Sequence, residues 1–95
     1  MEVKYTTDAF ASLTQLINFI EAKNTTGAGI RWLNKYEEYL TKAFINAKKK
    51  RLCTNETFRK LNLHCINFND WVIAFSIHQE SILVEALLHK SRITD

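Results

Sequence analysis

Three sets of side chains in this sequence are suited to chemistry: the histidines His64, His78 and His89, the basic run Lys48-Lys49-Lys50-Arg51, and the cysteines Cys53 and Cys65. Imidazoles change protonation near neutral pH and so act as a general acid or base, or as hydrogen-bonded structural groups. Closely spaced cations favour contact with phosphates, because binding releases the counterions of a nucleic acid. Cations also offset the negative end of a helix dipole, but two would serve that purpose and this run has four. Arg59 and Lys60 extend the basic stretch and Lys42 precedes it. With Glu56 as the sole local acid, residues 42–60 carry +6 within a chain whose net charge is +3, while residues 1–41 sum to −1 and residues 61–95 to −2. Basicity is therefore confined to one connecting region, which predicts a polyanion or an acidic protein as partner.

Cys53 and Cys65 do not form a CxxC pair, and His64 beside Cys65 lacks the second, separated ligand pair of a tetrahedral zinc site. A chain that is 46% hydrophobic can build a core without a covalent staple, so the expectation is two reduced thiols, no metal and no cofactor. The sequence has no P-loop, glycine-rich dinucleotide fingerprint, nucleophile elbow or HExxH, which removes support for the commonest enzyme classes.

These groups need a scaffold, and 95 residues are enough for one core but not for two, so residues 1–95 are expected to form a single domain. No apolar run approaches the length that spans a bilayer, so no membrane partner is expected. The start Met1-Glu2-Val3-Lys4-Tyr5 lacks the basic and apolar regions of a secretory signal, and a cytoplasmic location follows as an expectation.

Val3 and Tyr5 alternate with Glu2 and Lys4, the pattern of a half-buried strand, and Thr6-Thr7-Asp8 then offers oxygens to the free amides of a helix start. Phe10, Leu13, Leu16, Ile17 and Ile20 draw one helical stripe that ends at Asn24-Thr25-Thr26-Gly27. Ile30, Leu33, Tyr36, Leu40, Ala43 and Phe44 draw a second. The short connection containing Gly27 and Gly29 makes the pair an antiparallel hairpin. Residues 48–57 lack periodicity and read as a loop or frayed helix end.

Residues 61–68, 71–78 and 81–89 are β-rich and separated by Asn69-Asp70 and Gln79-Glu80, which predicts a three-stranded meander. With two-residue turns, Trp71, Ile73, Phe75 and Ile77 share the core face with Ile82, Val84, Ala86 and Leu88. His64 then points inward, whereas a three-residue first turn would put it outside. The opposite face carries Val72, Ala74, Ser76, His78, Leu83, Glu85, Leu87 and His89, and its leucines invite a covering partner. Core packing is the expectation for both Trp71 and Trp32, with Trp32, beside the second helical stripe, also able to lie at its edge or in an interface.

The opening strand Val3-Lys4-Tyr5-Thr6, two amphipathic helices, the pair Arg59-Lys60, the run Asp70-Trp71-Val72-Ile73-Ala74-Phe75-Ser76-Ile77 and the closing Ile82 to Arg92 cover nearly the whole chain. Their order resembles the RelE/ParE toxin superfamily, and its ParE branch more closely. The resemblance implies an α+β fold of order β-α-α-β-β-β, a helix hairpin on an antiparallel sheet. It implies the toxin of a type II toxin-antitoxin pair, in a toxin-antitoxin hetero-oligomer with a small antitoxin. RelE-like members cleave messenger RNA on the ribosome with basic residues and often a tyrosine or histidine, whereas ParE-like members poison DNA gyrase.

This sequence departs from the ribonuclease pattern, since positions that often hold arginine in that family carry Val72, Ser76 and Asn67, and the chain closes on Ile93-Thr94-Asp95 without a tyrosine. Cleavage requires stabilising a pentacovalent phosphate, so missing strand cations remove electrostatic support. The leading expectation is a non-enzymatic ParE-like toxin that meets its target through Lys48, Lys49, Lys50, Arg51, Arg59 and Lys60. Its antitoxin would lie on the face bearing Leu83, Glu85 and Leu87. The alternatives are a RelE-like ribonuclease using Lys60, His89, Lys90 and Arg92, and an inactive binding domain of the same fold.

Overall fold

The structure is a computed structural model that describes residues 2–93. Strand β1 (Glu2–Tyr5) leads into α1 (Thr7–Lys23) and α2 (Ala28–Ala43), and a 3-10 segment (Phe44–Lys49) continues the second helix. A short α3 (Glu56–Lys60) precedes the meander β2 (His64–Phe68), β3 (Trp71–His78) and β4 (Ser81–His89), and a 3-10 turn follows at Lys90–Arg92. The sheet order is β1-β4-β3-β2, with β1 parallel to β4 and the other pairs antiparallel. This is the expected β-α-α-β-β-β order with one insertion, α3.

The chain turns from β1 into α1 at Thr6, whose hydroxyl accepts the Ala9 amide at 3.1 Å while its own amide donates to the Val84 carbonyl at 3.0 Å. One residue thus caps the helix and extends the β1–β4 ladder. Ala9, Leu13 and Leu16 bury the inner face of α1, and Phe10 is left outside. In α2 the buried positions are Gly29, Tyr36, Leu40 and Ala43, so the expected stripe holds at its C-terminal end while Ile30 faces solvent.

The hairpin connection is organised by Glu21, whose two carboxylate oxygens accept the amides of Gly27 at 2.8 Å and Gly29 at 2.9 Å. Those amides belong to the unsatisfied first turn of α2, and a carboxylate is favoured there by the helix dipole as well. Gly27 sits in the left-handed region (φ +88), and a Cβ on Gly29 would come within 2.9 Å of the Ile17 carbonyl, so the helices cross closely where only glycine fits.

The main core lies between the helix hairpin and the sheet: Tyr36, Leu40, Ala43 and Phe44 meet Ile66, Ile73, Phe75, Ile82, Val84 and Leu87. Tyr36 is fully buried, and its hydroxyl shares a 3.0 Å hydrogen bond with that of Tyr5. Burial raises the pKa of both phenols. Trp32 stacks on Tyr36 with centroids 5.1 Å apart and meets Phe68 edge-on, which places it, partly buried, at the rim of the core.

Both meander turns contain two residues, since Phe68 pairs with Trp71 and His78 with Ser81. His64 therefore lies inward, its ring stacked 5.3 Å from Phe75 and its Nδ1 2.8 Å from the Lys50 carbonyl. The expected face assignment holds for Ile77 with Ile82 and Phe75 with Val84, but Ala74 pairs with Ala86, leaving Glu85 as an extra residue in β4. This bulge reverses every side chain beyond it. Leu87 is consequently a core residue, 2% exposed, rather than part of the outer face, and Ala86 and Leu88 exchange places with it. His89 moves to the helix side for the same reason, paired with Trp71 and edge-on to its indole at 5.2 Å.

Two further expectations are corrected. The first meander strand begins at His64, because Asn55 caps a helical turn by accepting the Phe58 amide at 3.1 Å, and Asn62 in the left-handed region (φ 58) ends the excursion. The cysteines are joined in a disulfide, with Cα atoms 4.8 Å apart. Both are almost fully buried in a second apolar cluster with Leu63, Val72 and Ala74, against which Phe58, Ala86 and Ile93 pack. This cluster covers the β2–β3 half of the face opposite the hairpin, so β3 is buried on both sides.

Two measurements check this description. Closing a loop of this length is worth about 3 kcal/mol, so Cys53→Ala/Cys65→Ala is expected to lower the unfolding free energy by roughly that amount in urea titrations. The Gly27 and Gly29 amides hold the Glu21 carboxyl below the usual carboxylate range, with Arg31 acting in the same direction and desolvation opposing. A carboxyl with a depressed folded pKa contributes its full stability above its unfolded value of about 4.3 and loses it as pH falls through the folded value. The Glu21→Ala deficit should therefore be largest at neutral pH and shrink below about pH 4; a deficit independent of pH would contradict the role given to Glu21.

Candidate functional site

The basic residues leave the sheet at its β2 edge. Residues 51–53 run antiparallel beside β2, with Leu52 bridging His64, the Cys53 amide donating to the Leu63 carbonyl at 2.8 Å and the Cys65 amide to the Arg51 carbonyl at 3.3 Å. Lys48 and Lys49 end the 3-10 segment before this strip, and Lys50 is half-buried with its carbonyl at the His64 ring. Arg59 and Lys60 ride on α3 inside the loop that the disulfide closes. Lys48, Lys49, Arg51, Arg59 and Lys60 are all exposed, and Lys60 forms an ion pair with Glu56 at 3.3 Å. The basic run thus passes along the strip of backbone beside β2, and Arg59 and Lys60 follow on α3.

A different site forms at the far end of β4. Ser12, Gln15, Leu16 and Phe19 of α1 face Trp71, Leu87, Leu88, His89 and Arg92 across a cleft of about 550 Å³. His89 is fixed there by the 3-10 turn: Nδ1 accepts the Ser91 amide at 3.1 Å and lies 2.9 Å from the Ser91 hydroxyl. Because Nδ1 accepts from a backbone N–H, the neutral ring carries its proton on Nε2, the nitrogen through which His89 would transfer a proton. Lys90 is exposed, with its amide on the Asp70 carbonyl at 2.8 Å.

The four residues considered for ribonuclease chemistry are therefore not gathered together. His89 and Arg92 share the cleft on the helix side. Lys60 belongs to α3, which packs through Phe58 onto the opposite face of the sheet. His78 is separate again, exposed on that opposite face with Nε2 2.8 Å from the Ser76 hydroxyl. Val72 is buried beneath the cystine cluster, and Asn67 is exposed on β2. Of the face bearing Leu83, Glu85 and Leu87, the first two remain half-exposed and Leu87 is lost to the core. Among the described residues, no group of three or more His, Cys, Asp or Glu side chains is placed to hold a metal ion, and no helix is long and apolar enough to cross a membrane.

No protein-family model matches the sequence, and no curated protein does. The solved structures are more informative. A chain of the chromosomal ParDE TA system from P. aeruginosa superposes with a TM-score of 0.73 over 94% of this chain and 95% of its own length, at 12% sequence identity. The fold is RelE/ParE-like. At 12% identity, the agreement is one of backbone architecture.

The sequence signals for α3 and the cystine were present but local. Asn55-Glu56 is an N-cap followed by a first-turn acid, and the two cysteines flank that segment. The tautomer of His89 is directly testable: long-range ¹H–¹⁵N spectra of the neutral ring should place the proton on Nε2. An Nδ1–H pattern would contradict the Ser91 contact.

Proposed function

We propose that this chain is the toxin component of a type II toxin-antitoxin system, acting in the cytoplasm in the manner of the ParE branch as one domain over residues 1–95. The observation that carries the reading is the RelE/ParE-like fold, which matches a chain from a ParDE TA system over 94% of this chain. In this reading the exposed cations Lys48, Lys49, Arg51, Arg59 and Lys60, with Lys50 beside them, engage a large cellular target such as DNA gyrase without chemical turnover. A cognate antitoxin neutralises the toxin in a hetero-oligomer, covering Leu83, Glu85 and their neighbours Ala86 and Leu88. Growth inhibition and plasmid stabilisation are the biological outputs of such a pair.

The ParE-like branch is favoured over the ribonuclease branch by the dispersal of the basic and imidazole groups. Phosphoryl transfer needs an acid, a base and cations converging on one phosphate. Lys60 is on the opposite side of the sheet from His89 and Arg92. The pairing of His89 with Arg92 in one cleft is the observation that keeps the RelE-like alternative in play.

Purified protein is expected to inhibit gyrase supercoiling while leaving ribosome-bound message intact, and specific cleavage in the ribosomal A site would overturn the proposal. Replacing Lys48, Lys49, Lys50 and Arg51 by glutamate should abolish growth arrest, whereas His89→Ala should retain it. The reverse outcome selects the ribonuclease reading, and a chain that arrests no host selects the inactive binding domain.

A further inference from the structure

The two edges of the sheet are treated differently. The β2 edge is closed by the chain itself, with Leu52 bridging His64 and the Cys53 amide donating to the Leu63 carbonyl. At the other end of the strand order, β1 has β4 on one side and, among the described residues, no strand on the other. The Glu2 amide donates to the Glu80 carbonyl at 3.2 Å and the Thr6 amide to the Val84 carbonyl at 3.0 Å. A strand alternates with period two, so Glu2, Lys4 and Thr6 face β4 while Val3 and Tyr5 turn their amides and carbonyls to the open edge. Such a row of backbone groups is a template for another strand.

Side chains beside this edge restrict which strand can join it. Val3 and Tyr5 lie on the helix side, packed against the main core, and with Leu40, Phe44 and Ile45 they line a depression of about 380 Å³. Ile45 is 77% exposed, which gives the depression an apolar rim in water. Glu2 and Lys4 alternate with them, point to the other face and are exposed. A lysine in the middle of a short edge strand opposes indiscriminate pairing. The glutamate two residues before it makes that exclusion selective, because an antiparallel strand with the same Glu-Val-Lys order meets it with opposite charges.

We infer that β1 pairs antiparallel with β1 of a second copy of this chain, about a two-fold axis between the two Val3 residues. Val3 then exchanges both backbone hydrogen bonds with its own copy, and Glu2 stands opposite Lys4 of the second copy at two symmetric, closely spaced positions. The two sheets become one, with both helix hairpins on the same face, and Val3 of the second copy lies beside Val3 at the mouth of the depression. The neighbouring registers are less favourable. Centring on Lys4 adds backbone bonds but sets two ammonium groups directly opposite each other. Centring on Tyr5 puts Val3 against Thr7, which is already the first residue of α1. The contact is small, so the dimer is weak and depends on concentration. Self-association of this kind does not depend on the toxin reading above.

Sedimentation velocity of the purified chain over a concentration series, with hydrogen exchange read at single amides, tests the pairing. The wild type should pass from monomer to dimer as concentration rises, and the Val3 amide should become more protected over the same range. Glu2→Lys and Lys4→Glu, both at exposed positions, should each weaken self-association at least about tenfold. An equimolar mixture of these two variants should form a heterodimer, and Glu2→Lys/Lys4→Glu in one chain should restore self-association. Val3→Pro removes the outward amide and leaves those of Glu2 and Thr6 on β4, so it should stay folded by circular dichroism and remain monomeric. A wild-type chain that is monomeric at every concentration would overturn the pairing and leave the edge to a strand from another protein. A dimer indifferent to the single charge changes would overturn β1 as its seat, and a double exchange that does not restore association would overturn the register.

Discussion

The strand β3 has to be covered on both faces, and the rest of the molecule follows from that constraint. Val72, Ile73, Ala74 and Phe75 are consecutive, apolar and almost completely buried, so one pair points to each side of the sheet. A sheet in a small antiparallel domain ordinarily leaves one face to water. Here the helix hairpin covers Ile73 and Phe75, and a second layer must cover Val72 and Ala74. The chain builds that layer from a cystine, Leu63, Phe58 and Ile93, with no regular element longer than α3. Because this layer is thin, a covalent bond stands where a longer helix would supply packing area.

The same arrangement links the core to the exposed basic surface. The disulfide that buries its sulfurs against Val72 and Ala74 also brings residues 51–53 alongside β2, and that strip is flanked by the basic run. At the other end of the sheet, the β4 bulge at Glu85 decides which residues line the cleft below α1. Thr6 stabilises this bulge from the side, its amide on the Val84 carbonyl and its hydroxyl 3.4 Å from that of Glu85. A strand-to-helix joint and a strand irregularity therefore share one set of hydrogen bonds, and both turn the end of β4 toward α1.

Much of this was legible in the sequence because it depends on period and turn chemistry. The stripes of Leu13 and Leu16 and of Tyr36 and Leu40 located the helices, and Asn69-Asp70 and Gln79-Glu80 located the turns, with Asn69 and Gln79 taking the left-handed conformations that tight hairpins require. What escaped depends on tertiary pairing. Nothing local to Ala74 or Glu85 announces a bulge, and one extra residue was enough to move Leu87 into the core and His89 to the helix side. The cystine escaped because a 12-residue separation becomes a 4.8 Å approach only when α3 folds the chain back on β2. Of the candidate residues, Lys48, Lys49 and Arg51 are exposed and Lys50 is half-buried, while the grouping of His89 with Arg92 and without Lys60 required the sheet to be seen from both sides.

The toxin proposed on this RelE/ParE-like fold would be silenced by a small partner. The most direct measurement is growth of a host after induced expression of this chain alone and together with the product of the adjacent reading frame. The account predicts arrest in the first case, relief in the second, and recovery of the two chains as one complex. Unimpaired growth in the first case, or arrest that the neighbouring product does not relieve, would contradict it.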